Sequence, residues 1–151
     1  MLAARLRARC PSARVIGRAE ATGFHLTFDK IGQDGSGKAT LVPRDGVVPG
    51  VLFDLAAEDV HLLDRIEGLG RGYDRVMLDL GGQGVMAYLA PAPFRDAGMR
   101  AFDWYLALVL AGARQADLPA EWVARLAAEP AIPDPEPGRP RRIEALALLA
   151  G

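Results

Sequence analysis

The stretch LDRIEGLGRGY, residues 63–73, is where one periodicity ends and another begins. Upstream, from Ala56, the residues Val60, Leu63 and Glu67 fall on neighbouring turns of a helix, and Leu62 with Ile66 adds an adjacent stripe. Gly68 stands where a helix takes its C-terminal glycine, the residue that enters left-handed backbone space without a steric penalty. Downstream, residues 73–80 and 85–90 read as two strands around Gly81-Gly82-Gln83-Gly84, a hairpin, and Pro91 and Pro93 end the second strand.

Residues 2–9 carry helix formers with Leu2 and Leu6 four apart, and Pro11 stops the run. Val15-Ile16 and residues 24–28 read as strands. In the latter, Phe24, Leu26 and Phe28 alternate with polar neighbours, which places His25 on the opposite, surface face. Residues 32–37 (GQDGSG) form a flexible loop, 39–42 a short strand and Pro43-Arg44-Asp45-Gly46 a turn. Residues 47–55 form a strand in which Pro49-Gly50 marks a bulge or an edge. The longest helix is 100–115, with Phe102, Tyr105, Leu106, Val109 and Leu110 as a broad apolar face. Residues 119–128 form another helix with Pro119 in its first turn. A proline-rich arm over 131–140 reads as extended and unpacked, and a short helix over 143–150 closes the chain. Helices and strands without regular alternation or repeat predict an α+β (mixed α/β) class. The expected division is a domain over residues 1–130 and an arm with a short helix over 131–151.

At 151 residues, half of them hydrophobic and a quarter charged, the chain suits one compact domain that hides roughly 70% of its unfolded surface. A net charge of −1 with both signs interspersed provides no broad basic surface, which argues against nucleic acid as a partner. The single cysteine, Cys10, excludes an intrachain disulfide and fits a reducing compartment. It follows Arg5, Arg7 and Arg9, a setting that favours thiolate, yet beside Pro11 it reads as a half-buried packing residue. His25 and His61 have no second ligand at metal spacing, so no metal is expected. There is no run of about 18 apolar residues and no apolar signal segment, so no membrane association is expected and the location is taken as cytoplasmic.

Gly32 to Lys38 imitates the start of a phosphate-binding loop, glycine, four residues, glycine, lysine. That motif needs a Ser or Thr next and then a helix, whereas Ala39 and a strand follow, so the segment reads as a hairpin connection. Glu67 is the stronger candidate. A carboxylate in the last turn of a helix faces the negative end of the macrodipole, and Ile66 and Leu69 add apolar surroundings. Both raise its pKa toward the range useful for acid–base catalysis. Gly68, Gly70 and Gly72 keep the adjoining loop slim, and Tyr73 brings a hydroxyl within reach of the same pocket. Taken alone, this pattern reads first as a solvated Glu beside a glycine cap.

The order of motifs resembles the gamma-glutamylcyclotransferase (AIG2-like) family across nearly the whole chain. The pieces that carry the resemblance are Arg9-Cys10-Pro11-Ser12-Ala13, Gly23-Phe24-His25-Leu26-Thr27-Phe28, Gly37-Lys38-Ala39-Thr40-Leu41-Val42-Pro43 and Val48-Pro49-Gly50-Val51-Leu52-Phe53-Asp54-Leu55. Leu63-Asp64-Arg65-Ile66-Glu67-Gly68 with Gly72-Tyr73, then Ala87-Tyr88-Leu89, Tyr105, Gly112-Ala113 and Asp117-Leu118-Pro119 complete them. The resemblance implies a small mixed β-sheet or partly open barrel with flanking helices. It also implies an enzyme that cyclises a gamma-glutamyl amine or peptide to 5-oxoproline and frees the amine. Glu67 would be the acid/base, Met1, Leu2, Gly68, Tyr73, Tyr88 and Tyr105 would contact substrate, and no cofactor would be needed. The implied partner is a small gamma-glutamyl molecule, and the protein would be a monomer or homodimer.

One departure stands out. The family's opening strand and Tyr-Gly-Ser-Asn segment, which hold the glutamyl end and stabilise the oxyanion, have no counterpart before Met1. Two expectations follow, a chain begun at an internal methionine or a degenerate member. The otherwise intact pattern favours the first, which would leave the chain inactive or poorly stable as it stands. Two other readings compete with catalysis. One is a non-catalytic binding module on the same fold, and the other is a structural domain pairing through the apolar face of residues 102–110.

Overall fold

Two 18-residue strands dominate the fold, β1 (Arg14–Ile31) and β2 (Gly37–Asp54). They pair antiparallel from Arg14↔Asp54 to Ile31↔Gly37. A computed structural model describes residues 1–151. Ahead of the ribbon lies α1 (Ala3–Arg9), and after it α2 (Ala57–Glu67), β3 (Asp74–Asp79) and β4 (Gly84–Leu89). A 3-10 turn (Ala92–Phe94), β5 (Ala101–Phe102), α3 (Asp103–Gln115), α4 (Ala120–Ala127), β6 (Ala131–Ile132) and α5 (Pro140–Ala150) complete the order. The class is α+β, with the strands distributed over three two-stranded pairings.

The ribbon is longer than the sequence pattern suggests. Pro43-Arg44-Asp45-Gly46 is not a turn but an irregularity within β2, where Thr22 pairs with Val47 and Phe24 with Pro43. Gly23 alone therefore faces Arg44, Asp45 and Gly46. His25 Nε2 lies 2.7 Å from the Asp45 carbonyl oxygen, and a side chain at Gly46 would run into the His25 ring. Turn-forming residues are used here to bend a strand instead of ending it. A second irregularity, between Thr27↔Thr40 and Lys30↔Lys38, sets Phe28 and Asp29 against Ala39 alone.

The glycine-rich tip between β1 and β2 is occupied with its own hydrogen bonds. Asp34 accepts from the Ser36 amide at 3.1 Å and from Lys38 Nζ at 2.8 Å. The main core joins Phe28, Ala21 and Val48 of the ribbon to Leu106 and Ala113 of α3 and to Trp122 and Leu126 of α4. A second cluster packs Leu2 against Phe102, Trp104, Leu108 and Ala145. The helical face of residues 102–110 is thus directed into the interior. A third cluster, Leu6, Cys10, Ala13 and Leu63, fastens α1 to α2. Cys10 is completely buried rather than half-buried, its thiol directed at the Asp59 carbonyl oxygen at 3.6 Å, and burial raises its pKa.

The segment after α4 makes specific contacts. Ala131 and Phe102's partner Ile132 pair in parallel with β5. Asp134 is buried and accepts from Trp104 Nε1 at 2.9 Å and from Arg139 Nε at 2.7 Å. The expected unpacked arm is therefore pinned to α3 through one carboxylate, and α5 starts at Pro140, three residues earlier than its apolar pattern indicates. No helix is long and apolar enough to cross a membrane.

Candidate functional site

Glu67 is the last residue of α2, and Gly68 follows at φ 72° and ψ 52°. The Leu69 amide donates to the Asp64 carbonyl oxygen at 2.9 Å and the Gly68 amide to that of Arg65 at 3.3 Å, which satisfies two carbonyls of the last turn. The chain then leaves the helix axis, and Glu67 lies on the wall of a cavity of about 730 Å³. The other six residues expected at the site, Met1, Leu2, Gly68, Tyr73, Tyr88 and Tyr105, line the same cavity. Glu67 is its only carboxylate, and no His, Cys, Ser or Thr lines it. No group of three or more His, Cys, Asp or Glu side chains anywhere in the chain is arranged to hold a metal ion.

The irregularity at Ala39 organises one wall. Its amide donates to Tyr105 Oη at 3.1 Å, and its carbonyl oxygen accepts from Tyr73 Oη at 2.7 Å. Backbone groups at a bulge need partners outside the ladder, and two tyrosines supply them. Tyr88 Oη donates to Asp64 Oδ1 at 2.5 Å, and Arg75 holds the other oxygen of that carboxylate at 2.9 Å. The tyrosines therefore form the walls with their rings while their hydroxyls bind protein groups. The Tyr73 hydroxyl expected within reach of the pocket has its proton engaged by the Ala39 carbonyl oxygen. Burial pushes all three phenols above the ordinary tyrosine range.

Glu67 has its pKa raised, and burial is the main cause. Arg9, Lys30, Arg5 and Arg141 oppose the shift, in that order. Arg9 Nη1 stands 3.9 Å from Glu67 Oε1. The direction agrees with the sequence reading, but the surroundings do not. Leu69 is 41% exposed and shields little, and the groups around the carboxylate are basic.

Those basic groups are what sequence reasoning missed. Arg5 and Arg9 are four apart on α1 and share one face, a signal present in the sequence. Lys30 and Lys38 are direct partners across the ribbon and so point to the same side, which only the register beyond the bulge decides. Lys38 lies 4.9 Å from the Tyr105 ring centroid and is bound to Asp34. Arg141 comes from α5, a distant part of the chain.

The sequence model of the family described as gamma-glutamyl cyclotransferase, AIG2-like, matches residues 3–106. The fold is similar to that of an uncharacterized protein of Homo sapiens, with a TM-score of 0.80 and 22% identity over 97% of this chain and 92% of that one. It is also similar to a solved gamma-glutamyl cyclotransferase, with a TM-score of 0.78 and 22% identity over 99% of this chain and 93% of the other. YkqA of Bacillus subtilis gives a TM-score of 0.64 and 19% identity over 85% of this chain and 49% of its own. At these identities the structural likeness concerns the fold. No curated protein matches the sequence.

Proposed function

The chain belongs to the gamma-glutamyl cyclotransferase, AIG2-like family, and from that premise we propose that it cyclises a gamma-glutamyl amine or peptide to 5-oxoproline. The observation that carries this reading is the standing of Glu67 as the single carboxylate on the wall of the cavity, with a raised pKa. Intramolecular aminolysis needs one group that takes a proton and returns it, and a carboxylate with a pKa shifted toward neutrality suits both halves.

In this scheme Glu67 accepts a proton from the substrate's α-amino group as that nitrogen attacks the γ-carbonyl carbon. The new carbon–nitrogen bond closes the five-membered ring and gives a tetrahedral oxyanion. Glu67 then returns the proton to the departing nitrogen, the original amide bond breaks, and 5-oxoproline and the free amine are released. Apart from Glu67, every charged side chain on the wall is a cation. Such a field favours the negative charge that develops on the carbonyl oxygen. The tyrosine rings and Trp104 line the same cavity, and such apolar surroundings strengthen the field.

Formation of 5-oxoproline from gamma-glutamyl dipeptides, followed by chromatography, tests the proposal. Activity that disappears in Glu67→Gln supports it. Undiminished activity in that variant removes Glu67 from the mechanism. Binding without any turnover by the unaltered protein supports a ligand-binding module on this fold.

A further inference from the structure

We propose that the cavity beside Glu67 continues as an apolar arm between the ribbon and helices α3 and α4, and that this arm takes a hydrocarbon amine as the departing half of the substrate. The proposal rests on the reading of the cavity as a gamma-glutamyl site.

The charged and the apolar residues of the wall come from different parts of the fold. Glu67 and the cationic side chains belong to α1, α2 and the loop after it, α5, and the tip of the ribbon, where Lys30 pairs with Lys38. Helices α3 and α4, and the ribbon from Leu26 back toward its open end, contribute no charged side chain to the wall. That part of the lining includes Leu26, Val48, Val51, Val109, Leu118 and Trp122.

The strand register gives the arm its direction. Val48 pairs with Ala21, nine residues back along β1 from Lys30, which is about 30 Å of strand. The glutamyl group is a short chain of five carbons, so a substrate seated at Glu67 fills only part of that length. Leu26, Val109 and Leu118 pack against the main core yet remain half-buried, and all three line the cavity. The core is hollow on this side. Arg125 fastens α4 to β1 there, its Nη2 donating to the Leu26 carbonyl oxygen at 3.1 Å and its guanidinium lying 4.6 Å from the Trp122 centroid.

Apolar walls that face empty space lack the contacts that close packing supplies. Water is a poor filler, because aliphatic side chains offer it no hydrogen bonds. A hydrocarbon chain gains the missing contacts and leaves water behind in one step. A charged or hydroxylated amine would lose its hydration with nothing in the arm to replace it. The departing nitrogen stays beside Glu67, which returns its proton, and the hydrocarbon trails along the ribbon.

Calorimetric binding to the Glu67→Gln protein tests the arm apart from turnover. The ligands are γ-glutamylmethylamide and γ-glutamylhexylamide, neither of which carries a charge on its amine side. The hexylamide is expected to bind more tightly, by about threefold to fourfold for each added methylene. Val109→Phe fills the arm and should bring the two affinities close together. Val51→Phe should do the same from β2, where an aromatic residue suits the strand, and serves if Val109→Phe fails to fold. Equal affinity for the two amides before filling overturns the proposal, as does a hexylamide advantage that survives filling in a folded variant. If the preference and its loss are both found but the protein with Glu67 intact forms no 5-oxoproline from either amide, the arm stands and the catalytic reading falls. Release of 5-oxoproline from both amides, bound with one affinity, keeps the catalytic reading and removes the arm.

Discussion

Arg9 of α1 and Glu67 of α2 meet at 3.9 Å between Nη1 and Oε1, so the first helix sets the charge balance of a carboxylate delivered by the second. Burial raises the Glu67 pKa, and Arg9 is the foremost of the cations that hold it back. Arg9→Gln is therefore expected to raise it further. The acid limb of the pH–rate profile should move to higher pH, a shift read by following 5-oxoproline release across the profile.

Glu67→Gln should lower catalysis by roughly 10²- to 10⁴-fold, the range of general acid–base contributions. The same substitution should stabilise the fold. A carboxyl whose folded pKa lies above its unfolded value costs stability wherever it is ionised, and this cost vanishes below the unfolded pKa. The Tm of the variant should therefore exceed that of the unaltered protein at neutral pH. The gap should close as pH falls through the ordinary carboxyl range.

Gly68→Ala places a β-carbon on a residue at φ 72°. Such a backbone costs an L-residue about 1–2 kcal/mol, and nothing crowds the position otherwise. Urea denaturation should report a loss of that size. Catalysis should fall as well, because the turn that aims Glu67 is strained.

Tyr73→Phe removes the donor that reaches the Ala39 carbonyl oxygen at 2.7 Å. An acceptor left without a partner in a buried setting costs about 1–3 kcal/mol. The ring that carries Lys30 remains, so the expected result in denaturant is lower stability with ligand binding largely preserved.

Gly112→Ala tests how closely α3 approaches the chain's first residues. A β-carbon there would lie 2.6 Å from both the Leu2 nitrogen and the Met1 carbonyl carbon. Backbone atoms cannot swing aside as a side-chain tip can, so overpacking should cost about 1–3 kcal/mol. Thermal unfolding measures it.

The helix over residues 57–67, its glycine cap and the hairpin after it were legible in the sequence because each is a local pattern of apolar spacing followed by residues that tolerate a positive φ. The α+β class followed from the order of those patterns. The length of the β1–β2 ribbon was not legible. Over residues 17–22 the inward positions are Gly17, Ala19 and Ala21, whose small side chains make only a faint alternation. Pro43-Arg44-Asp45-Gly46 has turn chemistry that is spent on a bulge, and only the partner strand determines that. The unpacked reading of residues 131–140 failed for a related reason, since the proline content hid Asp134, whose partners Trp104 and Arg139 are its reason for being buried.

The sequence alone determined where Glu67 lies and why it is a candidate, because a helix end, a glycine and a slim loop are all written within eleven consecutive residues. It also marked Tyr73, Tyr88 and Tyr105. Tertiary structure decided what surrounds them. Which faces of α1, β1, β2 and α5 meet is set by packing and strand register, and those contacts gather Arg5, Arg9, Lys30, Lys38 and Arg141 on one wall. A near-neutral chain thereby acquires a cationic cavity, because charge that is dispersed along the sequence becomes concentrated only when distant segments fold against each other.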